Sequence, residues 1–111
     1  MNYKDYLIRL LKKYKKEDDI EIDPHAELRA GQRNIHLDEV KYNLLNPSKR
    51  LSFANRLESE SDGLEKFKCY FSYSKTQCQI YIIKTNEKLI VKTIIKLNKR
   101  WQKKAEKYGK I

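Results

Sequence analysis

The hydrophobic pattern of this sequence changes its period at about residue 51, and this change limits the folds that the chain can adopt. Before Leu51 apolar residues recur at three- and four-residue steps, which is typical of amphipathic helices. After it they alternate with polar residues, as in strands that bury one face. Helices followed by consecutive strands predict an α+β fold, with N-terminal helices packed on an antiparallel sheet.

Three helices are predicted in the first half of the chain. The first carries apolar residues at helical spacing, namely Tyr3, Tyr6, Leu7, Leu10, Leu11 and Tyr14. The second begins after Asp23, a good N-cap residue, and ends between Gly31 and Asn34. The third covers residues 38–45 and ends before Pro47.

Four strands are predicted after residue 50, because β-branched and aromatic residues alternate with polar ones between short turns. The segments read RLSFANRL, KFKCYFSYS, QCQIYIIK and KLIVKTIIK. Their connections, ESESDG, KT and TNE, are short enough for a four-stranded antiparallel meander. A basic C-terminal helix is predicted over residues 98–111, with Asn98 as its N-cap.

The length and the charge of the chain indicate one domain that attracts a polyanion. A chain of 111 residues with 40% hydrophobic content can bury one modest core. We predict a single domain over residues 1–111, made of an added N-terminal helix (1–20), a core (23–97) and the basic helix (98–111). The net charge of +10 makes nucleic acid the first partner expected, although a lysine-rich surface can also serve solubility alone.

Alternation divides the predicted strands into two faces. The face expected against the helices contains Leu51, Phe53, Leu57, Phe67, Cys69, Phe71, Tyr73, Cys78, Ile80, Ile82, Leu89, Val91 and Ile95. The residues expected to contact nucleic acid on the other face and in the basic tail are Arg56, Lys68, Tyr70, Tyr81, Lys92, Lys96, Lys99 and Arg100. Aromatic rings among amines suit single-stranded RNA. The alternative is that these are ordinary solvent-facing strand residues.

The second helix carries His25, Arg29 and Arg33 at four-residue steps. Residues at this spacing lie along one side of a helix, so the three side chains can reach one anionic substrate. Arginine forks match phosphodiester oxygens, and histidine can exchange a proton near neutral pH. The row therefore predicts a metal-free ribonuclease site with His25 as general acid or base and Arg29 and Arg33 as transition-state stabilisers. The alternative is a solvated helix face, and His36 is interpreted as a turn residue.

Other classes of site and location are not favoured by the sequence. Its three glycines are scattered, so there is no phosphate-binding loop, and the acidic clusters at 17–19 and 58–62 read as solvated turns. We predict no metal or other cofactor. Cys69 and Cys78 lack a Cys-x-x-Cys pattern and are expected to be buried thiols. The N-terminus has no apolar run for a signal peptide or membrane span, which predicts a cytoplasmic protein without membrane contact.

The segment HAELRAGQRNIHLDEVKYNLLNP resembles the signature of a widespread family of small proteins. In that family His-x-x-x-Arg-x-x-x-Arg is followed by Gly-Ile, an acidic helix ending in Val and a later Pro. The matching positions are His25, Arg29, Arg33, Ile35, Val40 and Pro47, and VKTIIKL with Thr93 is similar to the final strand. The resemblance implies a RelE-like or barnase-like ribonuclease fold for residues 23–97, often in a toxin of a toxin–antitoxin pair.

The resemblance and the residues together predict a metal-independent endoribonuclease of toxin type. Its substrate would be RNA, such as mRNA or tRNA on the ribosome, and an acidic antitoxin would be its inhibitor. The main alternative is a non-catalytic RNA- or DNA-binding module in which the same cations only neutralise phosphates. A further alternative is a protein-interaction subunit whose charge serves an acidic partner.

Overall fold

A computed structural model describes residues 2–59 and 61–98 and contains one five-stranded sheet with helices against it. In chain order the elements are helix α1 (Lys4–Leu11), strand β1 (Ile20–Ile22), helices α2 (Pro24–Gln32) and α3 (Leu37–Leu45), and strands β2 (Leu51–Leu57), β3 (Lys66–Ser72), β4 (Cys78–Lys84) and β5 (Leu89–Leu97). The strand order in the sheet is β1-β5-β4-β3-β2. None of the helices in the described ranges is long and apolar enough to cross a membrane.

The α+β class is confirmed, but the prediction of a four-stranded antiparallel sheet is wrong. Strands β2 to β5 form the expected antiparallel meander. A fifth strand, β1, pairs in parallel with β5, with Ile20 opposite Leu89 and Ile22 opposite Val91. Only three residues of β1 pair, between acidic residues, which is too short a run for the alternation to be visible in the sequence. The basic C-terminal helix lies outside the described residues apart from Asn98, as do Lys99 and Arg100.

Helix α2 begins and ends where the sequence predicts. The Asp23 side chain accepts a hydrogen bond from the backbone N–H of His25 at 2.9 Å, and Pro24 occupies the first turn. Beyond the last turn Asn34 has φ 53°, in the left-handed region that asparagine tolerates. The Ile35 N–H then donates to the Ala30 carbonyl oxygen at 2.9 Å, which closes the helix.

The helices pack on one face of the sheet and form the main core with it. Helix α2 lies against β5, and helix α1 lies against β2. The helix residues Ala26 and Ala30 are fully buried, because a small side chain lets the α2 backbone approach the strand closely. A smaller cluster on the opposite face contains Phe53, Tyr70, Cys78, Ile80, Ile95 and Leu97.

The predicted assignment of strand faces is correct for β3 and wrong for β4. Phe67, Cys69 and Phe71 lie in the main core as expected. Cys69 is opposite Tyr81 and Phe67 is opposite Ile83, so Tyr81 and Ile83 share their face. Strand β4 is apolar on both faces, and alternation therefore cannot tell which one meets the helices.

The predicted faces of β2 and β5 are also partly wrong, because each strand has an irregularity in its register. The pairing of β2 with β3 shifts between Leu51 and Phe53, and that of β4 with β5 shifts between Ile82 and Ile83. As a result Ala54 lies in the main core in place of Phe53, and Ile94 in place of Ile95. An extra residue in one strand reverses the facing of every residue beyond it.

Candidate functional site

The predicted row on α2 runs along β5, and its members have different surroundings. His25 and Arg29 are exposed, whereas Arg33 is half-buried. The Nη1 of Arg33 donates to the Ile94 carbonyl oxygen at 2.7 Å. His25 and Arg33 are separated by about 12 Å along the helix axis. The structure therefore arranges these side chains in a line and does not bring His25 and Arg33 together at one point.

Lys92 lies at the start of α2 and not on the strand face predicted for it. Its Nζ is 3.2 Å from Asp23 Oδ2. Thr93 pairs with Ile82 and Val91 pairs with Ile83, so Lys92 is the extra residue of the irregularity in β5. The backbone N–H of His25 and, after it, the Lys92 ammonium hold the pKa of Asp23 below its usual range. Lys92 is thus the neighbour of His25, at one end of the row.

The predicted stacking surface of tyrosines is not present. Tyr81 is fully buried in the main core, so the expectation that it faces solvent and contacts RNA is wrong. Tyr70 lies on the face opposite the helices, as predicted, but is only 2% exposed. Its ring packs edge-on against Phe53 at 5.6 Å between centroids, and the Lys68 Nζ lies 5.7 Å from its centroid. Tyr70 therefore has no exposed ring face on which a base can stack.

The remaining predicted RNA contacts lie in separate places. Arg56 is exposed near α1, where its Nη2 is 3.4 Å from Glu65 Oε2, and that carboxylate also accepts from the Tyr6 hydroxyl. Lys96 is exposed on β5, opposite Gln79 of β4. Arg56, Lys68, Lys92 and Lys96 therefore do not form the single basic strand face that alternation predicts.

A polar cavity lies where the turn between α2 and α3 meets the ends of β3, β4 and β5. Its volume is about 120 Å³, and it is lined by Asn34, Glu39, Tyr73, Gln77, Cys78, Gln79 and Lys96. Asn34 belongs to the left-handed turn that follows α2, and Glu39 lies in the first turn of α3. His36 precedes α3 and is exposed, in agreement with its interpretation as a turn residue. The cavity thus lies at the Arg33 end of α2.

Five side chains beside this cavity form a ring in which four of the five contacts are hydrogen bonds. The Asn43 Nδ2 donates to the hydroxyls of Tyr73 and Tyr81, each at 2.8 Å. The Tyr81 hydroxyl donates to the Gln79 Oε1, and the Gln79 Nε2 donates to the Glu39 Oε1 at 3.2 Å. The fifth contact is between the Tyr73 hydroxyl and the Glu39 carboxylate, which raises the pKa of Tyr73. Because an ionised carboxylate can only accept, both arms of the ring end on Glu39.

Burial raises the pKa of both phenols of the ring, which are protonated at neutral pH. It raises the pKa of Tyr73 to about 12, and the nearby Glu39 carboxylate acts in the same direction. Burial also raises the pKa of Tyr81 well above its usual range, and the Asn43 amide opposes that shift. Both hydroxyls therefore remain donors near neutral pH, and Glu39 is held by two neutral partners.

Three basic side chains belong to the segments around the cavity. Lys96 lines the same cavity, and the Arg50 guanidinium carbon lies 4.1 Å from the Tyr73 ring centroid. Arg33 contacts β5 at Ile94, two residues before Lys96. A carboxylate with basic side chains nearby can take part in proton abstraction next to a phosphate.

Sequence reasoning missed most of this site because its members come from distant segments. Glu39, Asn43, Tyr73 and Gln79 were not predicted as functional residues. One signal was present, since Asn43 follows Val40 at a step of three and would lie on the apolar side of α3. All three of Val40, Asn43 and Leu44 are buried. A polar residue at a core position of a helix indicates a buried hydrogen-bond network.

Both cysteines are free and buried, as predicted. Cys69 belongs to the main core and Cys78 to the cluster on the opposite face, so the sheet lies between them. Burial raises the pKa of both thiols, that of Cys78 to about 12, which disfavours the reactive thiolate. Across residues 2–59 and 61–98 no three histidine, cysteine, aspartate or glutamate side chains are grouped so that they could hold a metal ion.

Comparisons of the chain with known protein families, with curated proteins and with solved structures found no match. The resemblance to RelE-like and barnase-like ribonucleases therefore stays a prediction from the sequence.

Proposed function

We propose that this protein is a metal-independent endoribonuclease of toxin type, which cleaves RNA by attack of a ribose 2′-oxygen on the adjacent phosphorus. An acidic antitoxin would be its inhibitor. The observation that carries the proposal is that a line of basic side chains on α2, exposed at His25 and Arg29 and half-buried at Arg33, leads to the polar cavity that contains Glu39. RNA bound along the line would reach the cavity.

The line is suited to an extended strand because its members are evenly spaced. His25 and Arg29 are both exposed, and a step of four residues advances about 6 Å along the helix axis. Within the described residues, no carboxylate forms an ion pair with Arg29, so its guanidinium is open to a phosphate. Lys92 adds charge at the His25 end. These cations would hold successive phosphates of single-stranded RNA.

The position of His25 favours phosphate binding over proton transfer at the cavity. Asn34, at the cavity, is nine residues further along the chain, which corresponds to about 13 Å along the helix. A group that moves a proton must lie within hydrogen-bond reach of the reacting oxygen. His25 would therefore bind RNA a nucleotide or more away from the bond that is cleaved.

A binding module without catalytic activity is the second candidate. It is favoured by the contact of Arg33 with the Ile94 carbonyl oxygen, because a guanidinium used in this way is less free to stabilise a transition state. In that case the line on α2 would act only through its charge.

Cleavage in excess EDTA separates the two candidates. The purified protein would be incubated with a single-stranded RNA and with the same strand carrying 2′-deoxyribose throughout. The ribonuclease proposal expects cleavage of the RNA alone and products that end in a 2′,3′-cyclic phosphate. Intact RNA together with tight, salt-sensitive binding of both strands would leave the binding module as the function.

The role of the α2 line is tested by the salt dependence of RNA affinity. Arg29→Ala should weaken binding and reduce the slope of log affinity against log salt by about 0.7, the value for one lost phosphate contact on a single strand. Arg9→Ala is the matched control, because Arg9 is an exposed arginine on α1. If Arg29→Ala and Arg9→Ala weakened RNA binding equally, Arg29 would act only through the overall positive charge of the protein.

A further inference from the structure

The carboxylate of Glu39 is part of the ring of contacts with buried side chains, although it lies near the surface. It is half-buried, it lines the cavity, and both arms of the ring through Asn43 end on it. Fully satisfied buried networks fix the side chains that they contain. A carboxylate has about four acceptor positions; the Gln79 amide donates to one of them, and the Tyr73 hydroxyl lies beside the carboxylate. Glu39 can therefore accept a further hydrogen bond from a ligand in the cavity.

We propose that the cavity is the cleavage centre, that it holds the ribose next to the scissile phosphate, and that Glu39 is the general base for the 2′-hydroxyl. This inference rests on the proposed ribonuclease function and names the catalytic site within it. A network that served only to attach α3 to the sheet would not need an acceptor that opens into a cavity beside Lys96.

The cations near Glu39 are placed to stabilise the charge that develops in the reaction. Lys96 lies on the cavity wall opposite Gln79, and Arg50 stacks on the ring of Tyr73. The pentacoordinate phosphorus carries one more negative charge than the diester, and fixed cations stabilise that extra charge. Tyr73, Gln79 and Asn43 act through Glu39 and are positioning residues.

The reaction balances without a metal ion or a further reactant. The Glu39 carboxylate takes the proton of the 2′-hydroxyl while the 2′-oxygen forms a bond to phosphorus. The bond from phosphorus to the 5′-oxygen then breaks, and the Lys96 ammonium gives a proton to the departing oxygen. The products are a 2′,3′-cyclic phosphate and a 5′-hydroxyl, and Glu39 and Lys96 regain their starting protonation by exchange with solvent.

The test compares Glu39→Gln with Asp38→Asn, which removes the same charge from an exposed neighbour in the same helix turn. We expect Glu39→Gln to slow cleavage by about a hundredfold or more, as for loss of a general base. Affinity for RNA that carries 2′-O-methyl groups and cannot be cleaved should stay within a few-fold. Asp38→Asn should leave both quantities unchanged.

Two further measurements distinguish catalysis by Glu39 from a structural role. In Glu39→Gly, added formate should restore part of the cleavage rate, because a small carboxylate can occupy the space that is left. A substrate with a 5′-sulfur leaving group needs no proton on departure, so it should restore the rate of Lys96→Ala but not that of Glu39→Gln. A structural role predicts neither rescue.

The results distinguish failure of the inference about Glu39 from failure of the proposed ribonuclease function. If the parent cleaves RNA and Glu39→Gln cleaves it equally fast, the inference is overturned and the proposed function stands. If the parent cleaves RNA but Glu39→Gly gains nothing from formate, Glu39 is not the base. If the parent cleaves no RNA, both the proposed function and the cleavage centre are overturned.

Discussion

The guanidinium of Arg33 donates to the carbonyl oxygen of Ile94 at 2.7 Å, beyond the point where β1 stops pairing with β5. The last residue pair of β1 and β5 is Ile22 with Val91. Arg33 thus supplies a hydrogen-bond donor to a strand segment that β1 is too short to cover. The residue joins α2 to β5 as well as contributing charge near the cavity.

We therefore expect Arg33→Ala to lower the free energy of unfolding by about 1.5–3 kcal/mol, the range for a hydrogen bond to a charged group. Arg29→Ala, on the exposed side of the same helix, should change it by less than about 0.5 kcal/mol. Urea unfolding followed by circular dichroism measures both. Equal stability of the two variants would mean that the contact with Ile94 contributes nothing.

Tyr81→Phe tests the hydrogen-bonded ring without changing its packing. Loss of the hydroxyl leaves the Asn43 amide and the Gln79 carbonyl each without one partner in a buried place, which should cost about 1–3 kcal/mol. RNA affinity should not change, because Tyr81 is fully buried. Weaker RNA binding by a stably folded Tyr81→Phe would contradict this arrangement.

A double-mutant cycle adds a second test of the ring. Tyr73 and Tyr81 both accept from Asn43, so removing either hydroxyl alters the partner of the other. The combined loss in Tyr73→Phe with Tyr81→Phe should differ from the sum of the single losses by more than about 0.5 kcal/mol. Additive losses would show that the two hydroxyls are independent.

Asp23 should make stability depend on pH. Its pKa is lowered in the folded protein, mainly by the backbone N–H of His25 and then by Lys92. A lowered pKa stabilises the folded state above the ordinary aspartate pKa of about 3.9, and the effect is lost as pH falls through the folded value. Asp23→Asn should therefore unfold at a lower temperature than the parent near neutral pH, and the difference should shrink at about pH 3. A difference that does not depend on pH would mean that the charge of Asp23 has no role.

The two thiols should be unreactive in the folded protein. With a pKa of about 12, Cys78 would be thiolate in only about one molecule in ten thousand at about pH 8. Cys69 is fully buried and should react even more slowly. Mass spectrometry after brief treatment with iodoacetamide should find neither cysteine modified without denaturant and both modified in it. Fast modification of either cysteine in the folded chain would show that the packing on that face of the sheet opens to solvent.

Local signals in the sequence were sufficient for most elements of the fold. The N-cap at Asp23, the left-handed Asn34 and the stop before Pro47 bound α2 and α3, and turn residues separate β2 to β5. These features depend on neighbouring residues only. The strand β1 could not be predicted in the same way, because its partner lies at Leu89 to Val91.

The candidate site was predicted less well than the fold because it depends on facing and register. The spacing of His25 and Arg33 correctly placed them along one helix but could not show that Arg33 binds a strand carbonyl. The register shifts in β2 and β5 reverse which of their residues face the helices. Strand β4 is apolar on both sides, so its pattern does not indicate which side meets the helices. Glu39 and Gln79 meet only through tertiary packing, which periodicity does not describe.

The parallel pairing of β1 with β5 also affects when the protein becomes functional during synthesis. Ile20 pairs with Leu89, about 70 residues later in the chain, so β1 has no partner until nearly the whole described sequence has left the ribosome. Helix α2 follows β1 directly and is attached to β5 by the Asp23 N–H to the Val91 carbonyl oxygen at 2.9 Å. Both the cation line and the cavity therefore need β5 in place. Under the proposed ribonuclease function, a nascent chain in which β5 has not yet formed would lack a working site, and nearby RNA would be protected from it.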